Sequence, residues 1–268
     1  MKFIYLIFLF LLACTNLFID EKEYNSFAFK GGSWIEFPSI DSMIVQNYNF
    51  SIQFWVSGGE INGNEAPALF SITDENNTKI ALYRDPNIKN SIILDLNSQI
   101  EKIEVEDIDW TESKDFHLIS ILFSDNGPTT IFIDSTNVHT TSLNSINAKG
   151  SKLIVGALSN EGRNILENFW YGYIDEIRLW NTSLHDSTIK FHYKNPNKLG
   201  EYYRTMYNDT LAYTADSDSL IYNSIIGLWR LNKNNTNSII EDGSIYNNHG
   251  EIFTLPNFNI ELSQIGSQ

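Results

Sequence analysis

Short segments in which apolar and polar residues alternate run through most of the chain. In Ser51–Val56, the side chains of Ile52, Phe54 and Val56 fall on one face of an extended strand. Similar segments follow at Ile80–Tyr83, Ser91–Leu96, His117–Phe123, Thr130–Ile133 and Lys152–Val155. Turn-forming residues, Gly, Pro, Asn and Asp, separate them. Because no helical pattern lies between these segments, they predict an all-β chain that forms an antiparallel sandwich or barrel.

One segment has the pattern of a short helix. Asp186–Tyr193 begins with a residue suited to the N-cap position, and Pro196 lies just beyond its end. Residues 200–226 have weak periodicity, and we interpret them as an excursion before a last strand at Gly227–Leu231. A helix this short cannot organise the domain, so the prediction is a β-sandwich with one short helix.

The strand-like segment Phe169–Asn181 breaks the regular alternation. Ile177 and Leu179 share a strand face, whereas Ile174 has the opposite parity. Burying all three side chains requires an extra residue near Asp175, which a β-bulge supplies. The bulge would turn the Asp175 carboxylate out of the ladder, toward a loop or an ion.

This segment resembles the G-x-I-D-E-[VI]-R-[IL]-W-N strand of laminin-G-like jelly-roll domains, within the concanavalin A-like lectin/glucanase fold. Further segments resemble that family in the same order, at Phe29–Pro38, Phe50–Val56, Phe116–Ile119, Ile131–Asp134, Leu153–Gly156, Gly227–Leu231 and Asp242–Gly250. The resemblance extends from about Phe27 to Ile252. It implies that residues 27–268 form a jelly-roll domain.

The resemblance also implies a calcium site. Several members of the family hold calcium where the loop matching Asp242–Gly250 approaches the strand that carries Asp175. Carried over to this chain, the ligands would be Asp242, Asn248 and Asp175, with main-chain oxygens around Ser244, an oxygen ligand set that Ca²⁺ prefers. The alternative is that Asp242 and Asn248 hydrogen-bond only their own turn.

The N-terminal segment predicts export and lipid attachment. Residues 3–13 form an apolar run of 11 residues, too short to span a bilayer as a helix and typical of a signal peptide. The sequence Leu11-Leu12-Ala13-Cys14 resembles the lipobox of bacterial lipoproteins, which are cut before the cysteine and acylated on it. We therefore expect a signal peptide at 1–13, lipidated Cys14, a tether at 14–26, and anchoring in the bacterial cell envelope, at the outer membrane or cell surface. An ordinary signal peptide or N-terminal anchor with an incidental Cys14 is the alternative.

The net negative charge of the chain argues against a nucleic-acid partner. The chain of 268 residues has 18 Lys and Arg against 33 Asp and Glu, a formal net charge of −15. This excess repels phosphate backbones, so we predict no nucleic-acid partner. The single cysteine, Cys14, excludes a disulfide within the chain.

One segment is a candidate for catalysis. Asp107–Glu112 has the spacing of a glucanase motif, E-x-D-x-x-E, but Asp107 stands where the nucleophilic Glu would be. The alternative is an acidic, solvent-facing turn within Glu101–Glu112. The five histidines are scattered without a metal-ligand pair, and His117 is expected to pack or hydrogen-bond within a sheet.

Aromatic residues are the remaining candidates for ligand contact. Trp110, Trp170, Tyr171 and Tyr173 lie near predicted strand ends, where a sugar ring could stack, although filling the core or its rim is the alternative. Trp55, Trp180 and Trp229 are predicted core residues, and the sequence identifies no ligand-binding residue.

Together these features predict a non-catalytic binding or adhesion module at the cell surface, with a glycan or protein ligand and a membrane contact through its lipid anchor. A divergent glycan hydrolase and a purely structural envelope lipoprotein are the alternatives.

Overall fold

A computed structural model describes twelve segments of the chain: residues 26–37, 49–60, 65–73, 78–112, 115–124, 127–141, 151–160, 165–196, 198–199, 224–231, 238–258 and 261–263. Within these segments, two large antiparallel sheets face each other across one hydrophobic core. The predicted all-β sandwich is confirmed, and its two antiparallel sheets and one helix are consistent with a concanavalin A-like jelly roll.

Eight strands form the first sheet, called sheet A: β1 Ser26–Lys30, β3 Phe50–Ser57, β8 His117–Phe123, β9 Thr130–Ile133, β10 Thr136–Thr140, β14 Tyr171–Trp180, β15 Ile225–Arg230 and β18 Glu261–Ser263. Their order is β10-β9-β8-β3-β14, and then β1 and β15 share the other edge of β14. The short β18 pairs with β1.

Eight more strands form sheet B: β2 Ser33–Phe37, β4 Ala68–Thr73, β5 Thr78–Arg84, β6 Ser91–Leu96, β7 Gln99–Glu104, β11 Lys152–Val155, β16 Ile239–Ile240 and β17 Gly250–Thr254. Their order is β16-β17-β2-β11-β4-β5-β6-β7. A separate ribbon joins β12 Leu158–Asn160 to β13 Ile165–Glu167.

The core lies between the two sheets because alternate side chains of each strand point inward. In β3, Phe50, Ile52, Phe54 and Val56 are all buried there. Aromatic rings fill much of the space, and Phe54 stacks on Phe70 of β4 across the sandwich at 5.0 Å between ring centroids. Burial of these side chains supplies most of the driving force for folding.

The helix α1, Asp186–Lys194, covers the outer face of sheet A. A second buried apolar cluster lies on this face and contains Trp180, Leu184, Ile189, Ile225 and Leu228, among others. This cover explains why the polar positions of β3 are buried as well. The predicted N-cap, Asp186, is wrong, because the N-cap is His185, whose side chain makes no capping hydrogen bond. Asp186 lies in the first turn, where its charge suits the helix dipole.

The strands predicted from alternation are confirmed, with bounds that agree to within three residues at each end. The run Glu101–Glu112 contains the expected solvent-facing turn at Glu106 and Asp107, and its first four residues belong to the edge strand β7. One expectation is wrong. The strand predicted as the last is β15, and β16, β17 and β18 follow it.

Candidate functional site

The predicted bulge is present in β14. Ile174 pairs with Val56 and Ile177 pairs with Phe54, so Asp175 and Glu176 together oppose one residue of β3. Ile174, Ile177 and Leu179 are all buried in the core, as the alternation required. The extra residue therefore restores the inward orientation of all three.

Asp242 organises the turn that follows β16. Its Oδ1 accepts hydrogen bonds from the backbone N–H groups of Leu228 and Ser244, both at 2.8 Å. Its Oδ2 accepts from the Ser244 hydroxyl at 2.6 Å and from the Asn248 N–H at 2.8 Å. A carboxylate has about four acceptor positions, so protein donors fill them all.

Asn248 joins the same turn to β15. Its side-chain amide donates to the Ile226 carbonyl at 2.7 Å, and its own carbonyl accepts from the indole N–H of Trp229 at 2.6 Å. The Asp242 N–H donates to Nδ1 of His249 at 3.1 Å. Asp242 and Asn248 thus lie close together, and the hydrogen bonds of both hold the turn and attach it to β15.

Asp175 lies on the other side of β15 from Asp242. Asp242 forms a bridge with Trp229, and Trp229 pairs with Ile177 on its opposite side. Two strand spacings, roughly 10 Å, therefore separate the backbone of Asp242 from that of β14. The described residues contain no group of three or more His, Cys, Asp and Glu side chains arranged to hold a metal. The filled acceptor positions of Asp242 do not fit a calcium ligand, and the calcium site stays a prediction of the family resemblance alone.

The residues of the candidate hydrolase motif lie between β7 and β8, mostly in a loop. Asp109 accepts from Lys89 Nζ at 2.6 Å, and from the backbone N–H and hydroxyl of Thr111 at 3.0 and 2.6 Å. The hydrogen bond from Lys89 is the largest of several effects that lower the Asp109 pKa to about 2. Asp109 is therefore ionised at neutral pH and engaged by Thr111 of its own loop and by Lys89 of the connection between β5 and β6.

The aromatic candidates from the sequence divide into two groups. Trp110 and Trp170 are almost fully buried, so they are core residues and cannot stack on a sugar; Trp55, Trp180 and Trp229 are buried as predicted. Tyr171 and Tyr173 are half-buried. His117 hydrogen-bonds Asp134 at 3.0 Å, as expected for a histidine within a sheet.

A cluster of aromatic side chains that no sequence pattern indicated lies on the outer face of sheet B. There Trp34 of β2 and Phe253 of β17 stand directly opposite each other. Their rings stack at 5.6 Å between centroids and 13° between planes. Phe169, from the loop before β14, adds a third ring at 6.0 Å from Trp34. We call these three residues the aromatic row; all are half-buried.

Polar groups lie beside the aromatic row. The indole N–H of Trp34 donates to Oε1 of Glu36 at 3.0 Å, which fixes the ring orientation. Lys152 Nζ lies 3.8 Å from the other oxygen of Glu36. Glu251, exposed on β17, pairs with Glu36 across the ladder. Three aromatic rings with adjacent charged donors and acceptors form a surface that can bind a ligand having both apolar and hydroxyl-bearing faces.

Cys14 and the N-terminal segment 1–25 lie outside the described residues. In the part of the chain that the structure describes, no helix is long and apolar enough to cross a membrane.

The known proteins that this chain resembles agree with the observed fold. The family described as the concanavalin A-like lectin/glucanases superfamily matches residues 29–190. A solved structure from Bacteroides ovatus, described as a candidate carbohydrate-binding protein, is 11% identical, with a TM-score of 0.55, and the match covers 90% of this chain and 59% of that one. A heptameric SAP-like pentraxin from Limulus polyphemus is also 11% identical, with a TM-score of 0.52, over 64% of this chain and 82% of that one. These likenesses show the fold alone, and no curated protein matches the chain.

Proposed function

Because the chain belongs to the concanavalin A-like lectin/glucanases superfamily, we propose that it is a non-catalytic module that binds a glycan at the bacterial cell surface. The observation that carries this proposal is the aromatic row of Trp34, Phe253 and Phe169 with Glu36 beside it. The likeness to a candidate carbohydrate-binding protein supports it.

The chemistry of the row suits a sugar. A pyranose ring has a C–H face that packs on an aromatic ring, and hydroxyls at its edge that need hydrogen-bond partners. The Glu36 carboxylate and the Lys152 ammonium lie beside Trp34 and supply an acceptor and a donor. Glu36 also holds the indole in place before a ligand arrives, which lowers the entropic cost of binding.

Replacing Trp34 tests this function. We expect Trp34→Ala to weaken binding to a glycan by about 30-fold, since removal of a central aromatic contact costs about 2 kcal/mol. The wild-type protein would first be screened on a glycan microarray and on insoluble polysaccharides. Isothermal titration with the best soluble oligosaccharide would then compare the two proteins.

Tyr246→Ala is the matched control, because Tyr246 is an exposed aromatic residue on a turn outside the row. It should bind as the wild type does. Equal affinity of Trp34→Ala and the wild type would place the site elsewhere. A wild-type protein that binds no glycan would contradict glycan binding. If it captures a protein instead, the protein-binding alternative remains; if it binds nothing, the purely structural alternative remains.

The geometry favours binding over hydrolysis. Asp107 and Glu112, the first and last carboxylates of the motif, are both exposed in the connection between β7 and β8. Asp109, the middle carboxylate, is engaged by Lys89 and Thr111. Release of reducing sugar from the bound polysaccharide, lost in Asp109→Asn, would contradict the non-catalytic proposal.

Display at the surface rests on Cys14, the cysteine of the lipobox-like sequence. We expect cells grown with an alkyne fatty acid to label the wild-type protein, and Cys14→Ala to remain unlabelled with its signal peptide attached. Gel mobility and click detection report both changes. Normal processing and release of the variant would contradict lipid anchoring.

A further inference from the structure

Arg84 is a buried cation at one end of the sandwich. It is the last residue of β5 and pairs with Ile92, a core residue, so its side chain also points between the sheets. It is 1% exposed. Burial lowers the Arg84 pKa to about 10, which leaves the guanidinium charged at neutral pH.

The guanidinium joins sheet B to sheet A through one of its nitrogens. Nη1 donates to the carbonyl of Gly59 at 2.7 Å and to that of Tyr171 at 3.2 Å. The Arg84 Cζ lies 5.6 Å from the ring centroid of Trp170, within range of a cation–π contact. These contacts fix the orientation of the side chain.

The remaining edge of the guanidinium has no acceptor. Among the described residues, neither Nε nor Nη2 of Arg84 has a hydrogen-bond partner. Two carboxylates could neutralise Arg84: Asp85, which follows it in the chain, and Asp109, whose charge acts on it. Both are engaged by other residues. Asp85 accepts from the Asn87 N–H and contacts Lys102, while Asp109 contacts Lys89. Nε and Nη2 together form the fork that binds two acceptor atoms side by side.

Two other buried donors lie at this end of the core. The indole N–H groups of Trp110 and Trp170 have no acceptor within the described part of the chain. Trp170 packs on Arg84, and the Trp110 carbonyl accepts from the N–H of Gly59, the residue whose carbonyl Arg84 binds. The groups without a partner at this end of the core are all donors, so the ligand they require is an acceptor.

An uncompensated buried charge is strongly destabilising, and acceptors of opposite charge relieve the cost. We propose that the Nε–Nη2 edge of Arg84 binds a small monovalent anion, of the size of chloride or a formate carboxylate, inside the end of the sandwich. A single guanidinium charge selects a monoanion, and the near-complete burial of Arg84 selects a small one. This site is separate from the aromatic row and from the proposed glycan binding.

Thermal unfolding in different salts tests the proposal. At equal ionic strength and sodium concentration, chloride, bromide and formate should raise the melting temperature saturably above its value in gluconate, an anion too large for a buried site. Arg84→Gln should lose this dependence on anion identity. Arg178→Gln is the matched control, because Arg178 is equally buried but contacts the carboxylate of Glu176; it should keep the dependence.

Crystals of the wild-type protein soaked in sodium bromide give a second measurement that does not depend on the variants folding. An anomalous peak within hydrogen-bond distance of Nε and Nη2 of Arg84 would support the site. A water at that position, or a melting temperature that follows ionic strength regardless of the anion, would overturn it.

Discussion

At the scale of single residues, Asp242 shows how one carboxylate can hold a turn together. Its four accepted hydrogen bonds come from β15 and from its own turn. The residue is 5% exposed, so water cannot replace the acceptor oxygens if the carboxylate is lost. A buried donor without an acceptor costs about 1–3 kcal/mol.

We expect Asp242→Asn to lower the free energy of unfolding by about 1–3 kcal/mol, because the amide nitrogen would face donors of Ser244 or Asn248. In a domain of this size, each kcal/mol lowers the melting temperature by roughly 2–4 °C. Differential scanning calorimetry measures the change. Glu241→Gln, at the exposed neighbouring position, is the control and should melt like the wild type.

The same proteins decide whether calcium binds. Filled acceptor positions lead us to expect equal melting temperatures for the wild type in chelator and in calcium. If calcium instead raises the melting temperature of the wild type but not of Asp242→Asn, and Mg²⁺ does so poorly, the ligand set implied by the family resemblance is correct.

At the scale of elements, α1 is held to sheet A by a buried polar network. His192 lies between Oε1 of Gln53 at 3.0 Å and the carbonyl of Leu199 at 2.9 Å. The same Gln53 oxygen accepts from the indole N–H of Trp180, whose ring stacks on His192 at 5.3 Å. Burial, together with the charge of Arg178, lowers the His192 pKa to about 3.

This low pKa predicts a pH-dependent stability. Because the folded pKa lies below the ordinary value of about 6.5, the unfolded chain takes up a proton first as the pH falls. The free energy of unfolding should therefore drop between pH 6.5 and 4.5 by up to about 1.4 kcal/mol per pH unit. Urea unfolding at several pH values measures the slope.

His192→Gln should be less stable at pH 7 and should lose most of this slope. The control is His185→Gln, since His185 is exposed at the start of α1. A wild-type stability that is flat between pH 6.5 and 4.5, or a slope unchanged in His192→Gln, would show that another group is responsible.

The sequence predicts those elements in which apolar and polar residues alternate within a short segment, or in which a break in that alternation is evident. Strand β8 has the bounds that the alternation indicated, and the conflict of parity at Ile174 located the bulge. Strand β4 was missed because it begins with the continuous apolar run Ala68-Leu69-Phe70, which leaves only a short alternating stretch. The aromatic row was missed for another reason: Trp34 and Phe253 are 219 positions apart, and only the sheet register brings them together.

At the scale of the whole molecule, the C-terminal part of the chain completes both sheets. β15 pairs with β14 and carries the core residues Ile226 and Trp229, while β17 pairs with β2 of the other sheet. Without these strands, two interior strands would become edges and the core would be exposed to water.

We expect a fragment of residues 24–224 to lack a cooperative unfolding transition, because it loses β15, β17 and their core residues. A fragment of residues 24–258 is the control: it lacks only β18, which forms three residue pairs with β1, and should still unfold cooperatively. Circular dichroism during heating and sedimentation velocity compare the two. A monomeric 24–224 fragment with a sharp transition would contradict this role of the C-terminal strands.

The position of β1 between β14 and β18 has a consequence for the time that folding takes. Phe27 pairs with Ile174 and with Leu262, residues that are 147 and 235 positions later in the chain. At a synthesis rate of about 5–20 residues per second, β1 waits roughly 7–30 s before its first neighbour in the sheet has even been made. Contacts between such distant segments also close slowly once the chain is complete. During that interval the first strand is an unpaired edge, which can pair with another chain.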